Sequence, residues 1–441
     1  MALDNERDLA YRILYKCLEE GAFSNLAMKG EEVTDFVTAA IYGTITYCYS
    51  LDFIINLASR KDVNKMDPRT RTIIRLGAWQ IVCSDKVPDY AAVDTSVSLA
   101  QKYARSSKGF VNAVLHKVAD LSAEQRDLDN YKPEVAVSLK SEIWGVFKKD
   151  YGKERALSIC KAFLNTQPMT VRFDSNKTTR EEIARLLEAD GVVVNDSQFM
   201  DCALTVKVTN KPIDATKAWN EGKILVQGES AMLASLVADP KPGMTILDSC
   251  AAPGGKTTHL AELAGDNCHI DALEINSSRV DLIKQNADRM GITSIHAHQG
   301  DASSYGSGTT GGYDLVTADV PCSGLGLISK KPDIRLQMTY ERITELLDIQ
   351  ANILKNAANN VNPGGVLVYS TCTVDSRENE LQVQRFLEEN EDFYSEDITQ
   401  YLPDRLYMDD RRAQDAKNGY ITLLPDTDKC DGFFIARLRR R

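Results

Sequence analysis

Along residues 3–130 the apolar side chains recur every three or four positions. Leu9, Ala10, Ile13, Leu14, Cys17 and Leu18 form one stripe, Phe36, Ala40, Ile41 and Thr44 begin a second, and Ile73, Ile74, Leu76, Gly77 and Trp79 a third. That spacing gathers them on one face of a helix, and no alternating pattern interrupts it, so a helical bundle is predicted with further helices at 93–103 and 109–118. Residues 121–132 are polar and end in front of a proline, which reads as a linker, and 134–165 return to helix. From Met169 the apolar runs shorten: 170–173 and 204–208 read as strands around a helix at 181–189 closed by Gly191, a small α+β module.

From about Ile224 strand and helix patterns alternate to the end. Strands are predicted at 244–247 leading to Asp248, at 269–275 past Glu274, at 295–300 reaching Asp301, at 313–318 reaching Asp319, and at 366–370 reaching Thr371-Cys372-Thr373. A long helix at 339–361 closes on Pro363-Gly364-Gly365, and 432–438 reads as a last strand before the basic tail Arg439-Arg440-Arg441. Repeated βα units mean a parallel sheet with helices on both faces and a ligand crevice at the carboxyl ends of the strands. The expected chain is therefore multidomain: an all-α bundle at 1–130, a helical linker with a small α+β module at 131–223, and an α/β Rossmann-like domain at 224–441.

Composition narrows the class. The 441 residues suit two or three domains, and 43% hydrophobic content is that of a globular protein. A charged N-terminus without an apolar signal core, and no long apolar run, predict a cytoplasmic protein with no membrane partner. The ten cysteines include no CxxC pair and the five histidines complete no zinc spacing, so no metal is expected. A net charge of −11 argues against coating nucleic acid, yet Arg60, Lys61, Lys65, Arg69, Arg71 and Arg75 face only Asp62 and Asp67 in their stretch. That cluster is either a solvated helix face or a phosphate-contacting patch.

The chemistry centres on Asp248-Ser249-Cys250-Ala251-Ala252-Pro253-Gly254-Gly255-Lys256-Thr257, a glycine turn where a strand hands over to a helix. A phosphate loop would need glycine at position 250, which is Cys250, and a dinucleotide fingerprint would need a third glycine. Glu274 at the end of the second strand suits a ribose diol, while Asp301 and Asp319 suit an adenine amino group and a cationic moiety. A phosphate-free, positively charged nucleoside meets those demands, which favours S-adenosylmethionine over NAD or ATP. Two cysteines also stand at successive strand ends, Cys322 in Asp319-Val320-Pro321-Cys322-Ser323-Gly324 and Cys372 in Ser370-Thr371-Cys372-Thr373. A thiolate beside a methyl donor has a specific use: carbon 5 of cytosine accepts a methyl group only after carbon 6 is attacked.

These motifs resemble known families. Residues 36–56, Arg75-Leu76-Gly77-Ala78-Trp79-Gln80, Val87-Pro88 with Ala91-Ala92-Val93, and 109–115 look like a NusB-type RNA-binding domain. The glycine turn, the Pro-Cys and Thr-Cys segments, Lys331-Pro332-Asp333-Ile334-Arg335 and Gly432-Phe433-Phe434-Ile435-Ala436 resemble RNA 5-methylcytosine methyltransferases with a class I fold, and the whole chain resembles the RsmB family acting on 16S ribosomal RNA. The resemblance implies that Cys372 attacks carbon 6, Asp319 meets the ring-nitrogen edge, Lys256 orients the base, and Cys322 removes the carbon 5 proton or releases the adduct. It implies cofactor contacts from Cys250, Ala251, Ala252, Pro253, Gly254, Gly255, Lys256, Glu274, Arg279, Asp301 and Asp319. Its implied partner is small-subunit ribosomal RNA, met by a monomer through the helical domain, the middle module and the arginine tail. Gly228 departs from the family pattern, where an acidic residue is usual. Cys322 stays a rival nucleophile, because DNA cytosine methyltransferases attack with the Pro-Cys cysteine. An RNA-binding protein with a relic methyltransferase part, and an NTPase binding ATP at the glycine turn, are the competing classes.

Overall fold

The three apolar stripes fold as helices Asn5–Glu19, Asp35–Thr46 and Pro68–Val82. The second and third begin where local chemistry lets them: the Thr34 side chain accepts from the Val37 amide, and Asp67 accepts from two amides in front of Pro68, a residue whose missing N–H costs nothing at a helix start. Their shared core gathers Ala10, Ile13, Leu14, Val37, Ile41, Ile73, Ile74 and Leu115. The computed structural model describes residues 5–208, 211–306, 312–408 and 410–441, and they divide into two compact units.

The first unit is Met1–Asn165 with Ile328–Tyr340. The stretch expected as a linker is packed: Ser122 and Gln125 form a capping box, Arg126 reaches Asp89 at 2.9 Å, and the Tyr131 ring lies 4.6 Å from that of Phe53. Helix Ser141–Ala162 follows, broken at Gly152. The returning segment Ile328–Tyr340 is held by buried polar contacts. Asp333 accepts from the Ser24 amide at 3.0 Å and hydroxyl at 2.6 Å, and the buried Arg335 donates to the carbonyls of Val137 at 2.6 Å and Ser138 at 3.0 Å. Of the basic cluster, Arg71 pairs with Glu19 and Arg75 grips Asp52 with two bonds of 2.7 Å, so both serve the interior. Arg60, Lys61, Lys65 and Arg69 face solvent.

The second unit is Thr166–Leu327 with Glu341–Arg441. Its strands are β1 (Met169–Phe173), β2 (Val193–Asp196), β3 (Ala203–Lys207), β4 (Ile224–Val226), β5 (Thr245–Asp248), β6 (His269–Glu274), β7 (Ile295–Gln299), β8 (Tyr313–Asp319), β9 (Val361–Thr371), β10 (Phe393–Ser395), β11 (Tyr420–Leu423) and β12 (Phe433–Arg440). The first four form an antiparallel sheet in the order β2-β3-β1-β4, with helix Arg180–Ala189 packed on it through Ile183 and Leu187. Ile224–Val226, where the alternation of the main domain seemed to begin, thus completes the small module.

The remaining strands make one sheet in the order β10-β12-β9-β8-β5-β6-β7, with β11 paired to β12. β5 to β9 run parallel, and β12 returns antiparallel along β9. Alternation sends Ile246, Ile270 and Leu315 to one face against Met232, Leu233 and Leu260, and Leu247, Val316 and Leu367 to the other against Ile353, Leu354 and Phe386. Two expectations change here. The long helix ends at Asn359 and β9 starts at Val361, so Pro363-Gly364-Gly365 lies in the strand, opposite a register shift at Tyr313/Leu315 that absorbs the irregularity. Of the basic tail, Arg439 and Arg440 belong to β12, where Arg439 pairs with Glu396 alongside Arg437 and Arg440 pairs with Asp392, which occupies them within the sheet. Among the described residues no helix is long and apolar enough to cross a membrane.

Candidate active site

Strand order reverses at β5, which has β6 on one side and β8 on the other, and the glycine turn leaves the sheet at that switch point. Its backbone is tied to both neighbours. The Ser249 amide donates to Thr317 O of β8 at 2.9 Å, and the Ala251 amide donates to Leu273 O of β6 at 2.8 Å. Asp248 is buried and accepts from the Thr257 hydroxyl at 2.7 Å; burial pushes its carboxyl up, with Thr257 and Lys256 working against that. Gly254 sits at φ +100°, a backbone region that favours glycine, immediately before helix Gly255–Leu263. Cys250 is half-buried, and burial raises its thiol far above the ordinary range.

The rim of the turn is acidic. Glu274 is buried at the end of β6, accepts from the Asn276 amide at 3.0 Å and pairs with Arg279 at 3.2 Å. Arg279 also donates to Ala252 O at 3.1 Å, so it braces the carboxylate against the turn. Asn286 adds a bond to Pro253 O at 2.9 Å that the sequence pattern did not point to. Asp301 stands exposed just beyond β7, with Oδ1 accepting from the Ser303 hydroxyl and amide, which hold its carboxyl below the usual range.

A second cluster gathers at the ends of β8 and β9. Lys256 Nζ lies 2.7 Å from Asp319 Oδ2, and Asp319 Oδ1 accepts from the Ser370 hydroxyl at 2.8 Å. Burial alone would lower the Lys256 pKa, but Asp319 and Asp248 outweigh it, so the ammonium is held above its ordinary value. The Phe433 ring lies 5.7 Å from the ammonium. Cys322 Sγ and Cys372 Sγ are 3.1 Å apart. The contact with Cys372, and then burial, push the Cys322 thiol well up. Gly326 lets the backbone after Cys322 press against that of Cys372 and Gly432: its amide donates to Cys372 O at 3.0 Å, and a Cβ there would fall 1.9 Å from Gly432 O.

The predicted residues therefore fall into two groups, the glycine turn with Glu274 and Arg279, and Lys256, Asp319, Cys322 and Cys372 beside it, with Asp301 on the open edge. Sequence reasoning missed two buried supports. Arg172 of β1 lies under the helix that follows the turn, bonded twice to Glu262 at 2.7 and 3.0 Å, to Gly255 O at 2.8 Å and to Gln227. Glu378 lies beneath the Cys322 loop, where it accepts from the Ser323 amide at 2.8 Å. An isolated Arg in a strand pattern was the available signal for the first; a polar run directly after the Thr-Cys motif was the signal for the second.

Known proteins resemble this chain along its length. A family model described as 16S rRNA methyltransferase RsmB/F matches residues 235–439, the NusB family model matches 4–120, and an RsmF/B-like ferredoxin-like domain model matches 144–212. The probable ribosomal RNA small subunit methyltransferase B of Bacillus subtilis is 33% identical over 99% of this chain and 98% of that protein. A mouse 28S rRNA (cytosine-C(5))-methyltransferase is 32% identical over 62% of this chain and 35% of its own length. The crystal structure of PH0851 superposes with a TM-score of 0.80 at 26% identity, covering 99% of both chains.

Proposed function

The chain belongs to the RsmB/F family of 16S ribosomal RNA methyltransferases, and we propose that it methylates carbon 5 of a cytosine in small-subunit ribosomal RNA, with S-adenosylmethionine as donor. The observation that carries this reading is the pair of thiols 3.1 Å apart next to the Lys256–Asp319 ion pair. Carbon 5 of cytosine is a poor nucleophile until a bond forms at carbon 6. Cys372 Sγ, as its thiolate, supplies that bond, and the electron pair of the double bond between carbons 5 and 6 moves to carbon 5, which takes the methyl group. Asp319 faces the ring-nitrogen edge, and Lys256 orients the base. With the methyl group on carbon 5, Cys322 as its thiolate takes the carbon 5 proton, the freed electron pair re-forms the double bond between carbons 5 and 6, and Cys372 leaves carbon 6 as a thiolate.

The donor fits the residues present. An open glycine turn rimmed by Glu274 and Asp301, with neither a phosphate loop nor a dinucleotide fingerprint, suits a cationic nucleoside. Residues 250–256, Glu274, Arg279, Asp301 and Asp319 would hold it, and it supplies a methyl group made electrophilic by positive sulfur. The target base must leave its stack, at a cost of about a few kcal/mol that is smallest in a loop. We assign RNA handling to residues 1–130, with Arg60, Lys61, Lys65 and Arg69 as phosphate contacts, a supporting module to the chain from 131 through β4, and catalysis to the large sheet that follows.

Trapping on small-subunit ribosomal RNA carrying 5-fluorocytosine tests the roles. The unaltered protein and Cys322→Ala form a covalent protein–RNA complex, and Cys372→Ala does not. A complex with Cys372→Ala but none with Cys322→Ala would exchange the two assignments.

A further inference from the structure

Three neighbours of the two cysteines are gripped directly, and a fourth through Gln350, by two consecutive residues, Glu378 and Asn379. Glu378 is fully buried. Its Oε2 accepts from the Ser323 amide at 2.8 Å and from Gln350 Nε2 at 2.8 Å, and its Oε1 accepts from the Ser323 hydroxyl. Gln350 Nε2 also donates to Pro321 O at 3.0 Å, so the residues on both sides of Cys322 are held through one carboxylate. The adjacent Asn379 does the same for Cys372: its Oδ1 accepts from the Thr371 hydroxyl and its Nδ2 donates to Thr373 O at 3.2 Å. Ser323 Oγ and Thr373 Oγ1, 2.8 Å apart, stitch the two loops together. The Tyr369 hydroxyl, from inside β9, donates to Glu378 O at 2.7 Å and anchors the clamp to the sheet.

We propose that Glu378 is a positioning residue that keeps Cys322 in register with Cys372, so that the thiol acting after methyl transfer reaches carbon 5 of a base already bonded to the other. The proposal rests on the roles given to the two cysteines above. Its physical basis is that the buried Ser323 amide, next to Cys322, has the Glu378 carboxylate as its acceptor, and a buried donor left without a partner drives the loop to a different place. A misplacement of about 1 Å at a reacting group costs up to roughly a hundredfold in rate. Loss of the clamp therefore falls first on the release half of the reaction.

The test uses the full-length protein and reads geometry separately from chemistry. Diamide removes two hydrogens from a pair of nearby thiols and leaves a disulfide, and peptide mass mapping reports the pair Cys322–Cys372 specifically. Glu378→Ala is expected to form that disulfide about tenfold more slowly than the unaltered protein, the scale of one lost buried acceptor. Glu378→Gln restores the rate, because its amide oxygen accepts the two N–H bonds and its amide nitrogen donates to Ser323 Oγ. With unmodified ribosomal RNA and S-adenosylmethionine, Glu378→Ala accumulates the covalent complex, which general loss of structure would diminish. Cross-linking and release at the unaltered rates in Glu378→Ala overturn the proposal. Should that variant fail to fold, Ser323→Ala decides: slower cross-linking supports the clamp and an unchanged rate overturns it. If Cys322→Ala does not accumulate the complex while Glu378→Ala still slows the cross-link, the cysteine roles fail and the clamp stands.

Discussion

Helix Gly255–Leu263 carries an ion pair at each end, and the two are built for different purposes. At its last turn Glu262 meets Arg172 through two bonds, both side chains nearly sealed from solvent at 6% and 0% exposure, and Arg172 spends its remaining donors on Thr258, Gly255 O and Gln227. At its first turn Lys256 meets Asp319 through one bond, with the side chains 21% and 24% exposed. The first pair has no hydrogen-bonding capacity left for a ligand, so it holds the small module and the glycine-turn helix in place. The second keeps donors and an open side, which is what a group that must engage a substrate needs. Saturation, more than charge, separates the buried pair from the one to which we assign the substrate.

The sharpest contrast comes from chemistry that the structural pair does not share. Cys372→Ala is expected to lower methyl transfer to ribosomal RNA by about 10⁴-fold or more, the scale of a lost covalent nucleophile, while leaving the unfolding midpoint in urea unchanged. Arg172→Met should do the reverse. It strands Glu262 in the interior, a loss of about 3–5 kcal/mol in urea denaturation, and the protein that remains folded still forms the 5-fluorocytosine adduct. Equal losses of stability from Arg172→Met and Lys256→Met would erase the distinction between the two pairs.

Smaller effects refine it. Ser370→Ala removes one bond to Asp319 and is expected to lower transfer by about tenfold or less, with stability changed by about 1 kcal/mol. Burial raises the Glu378 pKa, so above the ordinary carboxylate value of about 4.3 the native state retains a proton that the unfolded chain has released. Its contribution to stability therefore falls as pH rises through that window, and Glu378→Gln, neutral throughout, should flatten the slope of the urea midpoint against pH. An unchanged slope would mean that Glu378 titrates alike in both states.

Much of the site was legible because it is written locally. The glycine turn, the carboxylates at strand ends and the two cysteine motifs each announce themselves within about ten residues, through a period change and a cluster of turn residues. The basic residues were less legible. Arg71, Arg75, Arg437 and Arg439 read the same along the chain as Arg60 or Lys61, yet the first four close internal ion pairs. Their partners Glu19, Asp52 and Glu396 are distant in sequence, and nothing local connects them.

Local pattern along the chain set the order of the main helices and of the parallel strands, the identity of the turn and the presence of two thiols at strand ends, since periodicity and backbone chemistry act over a few residues. Tertiary structure alone decided that β8 and β9 lie side by side, that Cys322 and Cys372 come within 3.1 Å, and that Lys256 answers Asp319 while Arg172 answers Glu262. Those facts depend on pairings across 50 or more residues, where burial, and the requirement that every buried polar group find a partner, selects among contacts that the local pattern leaves equal.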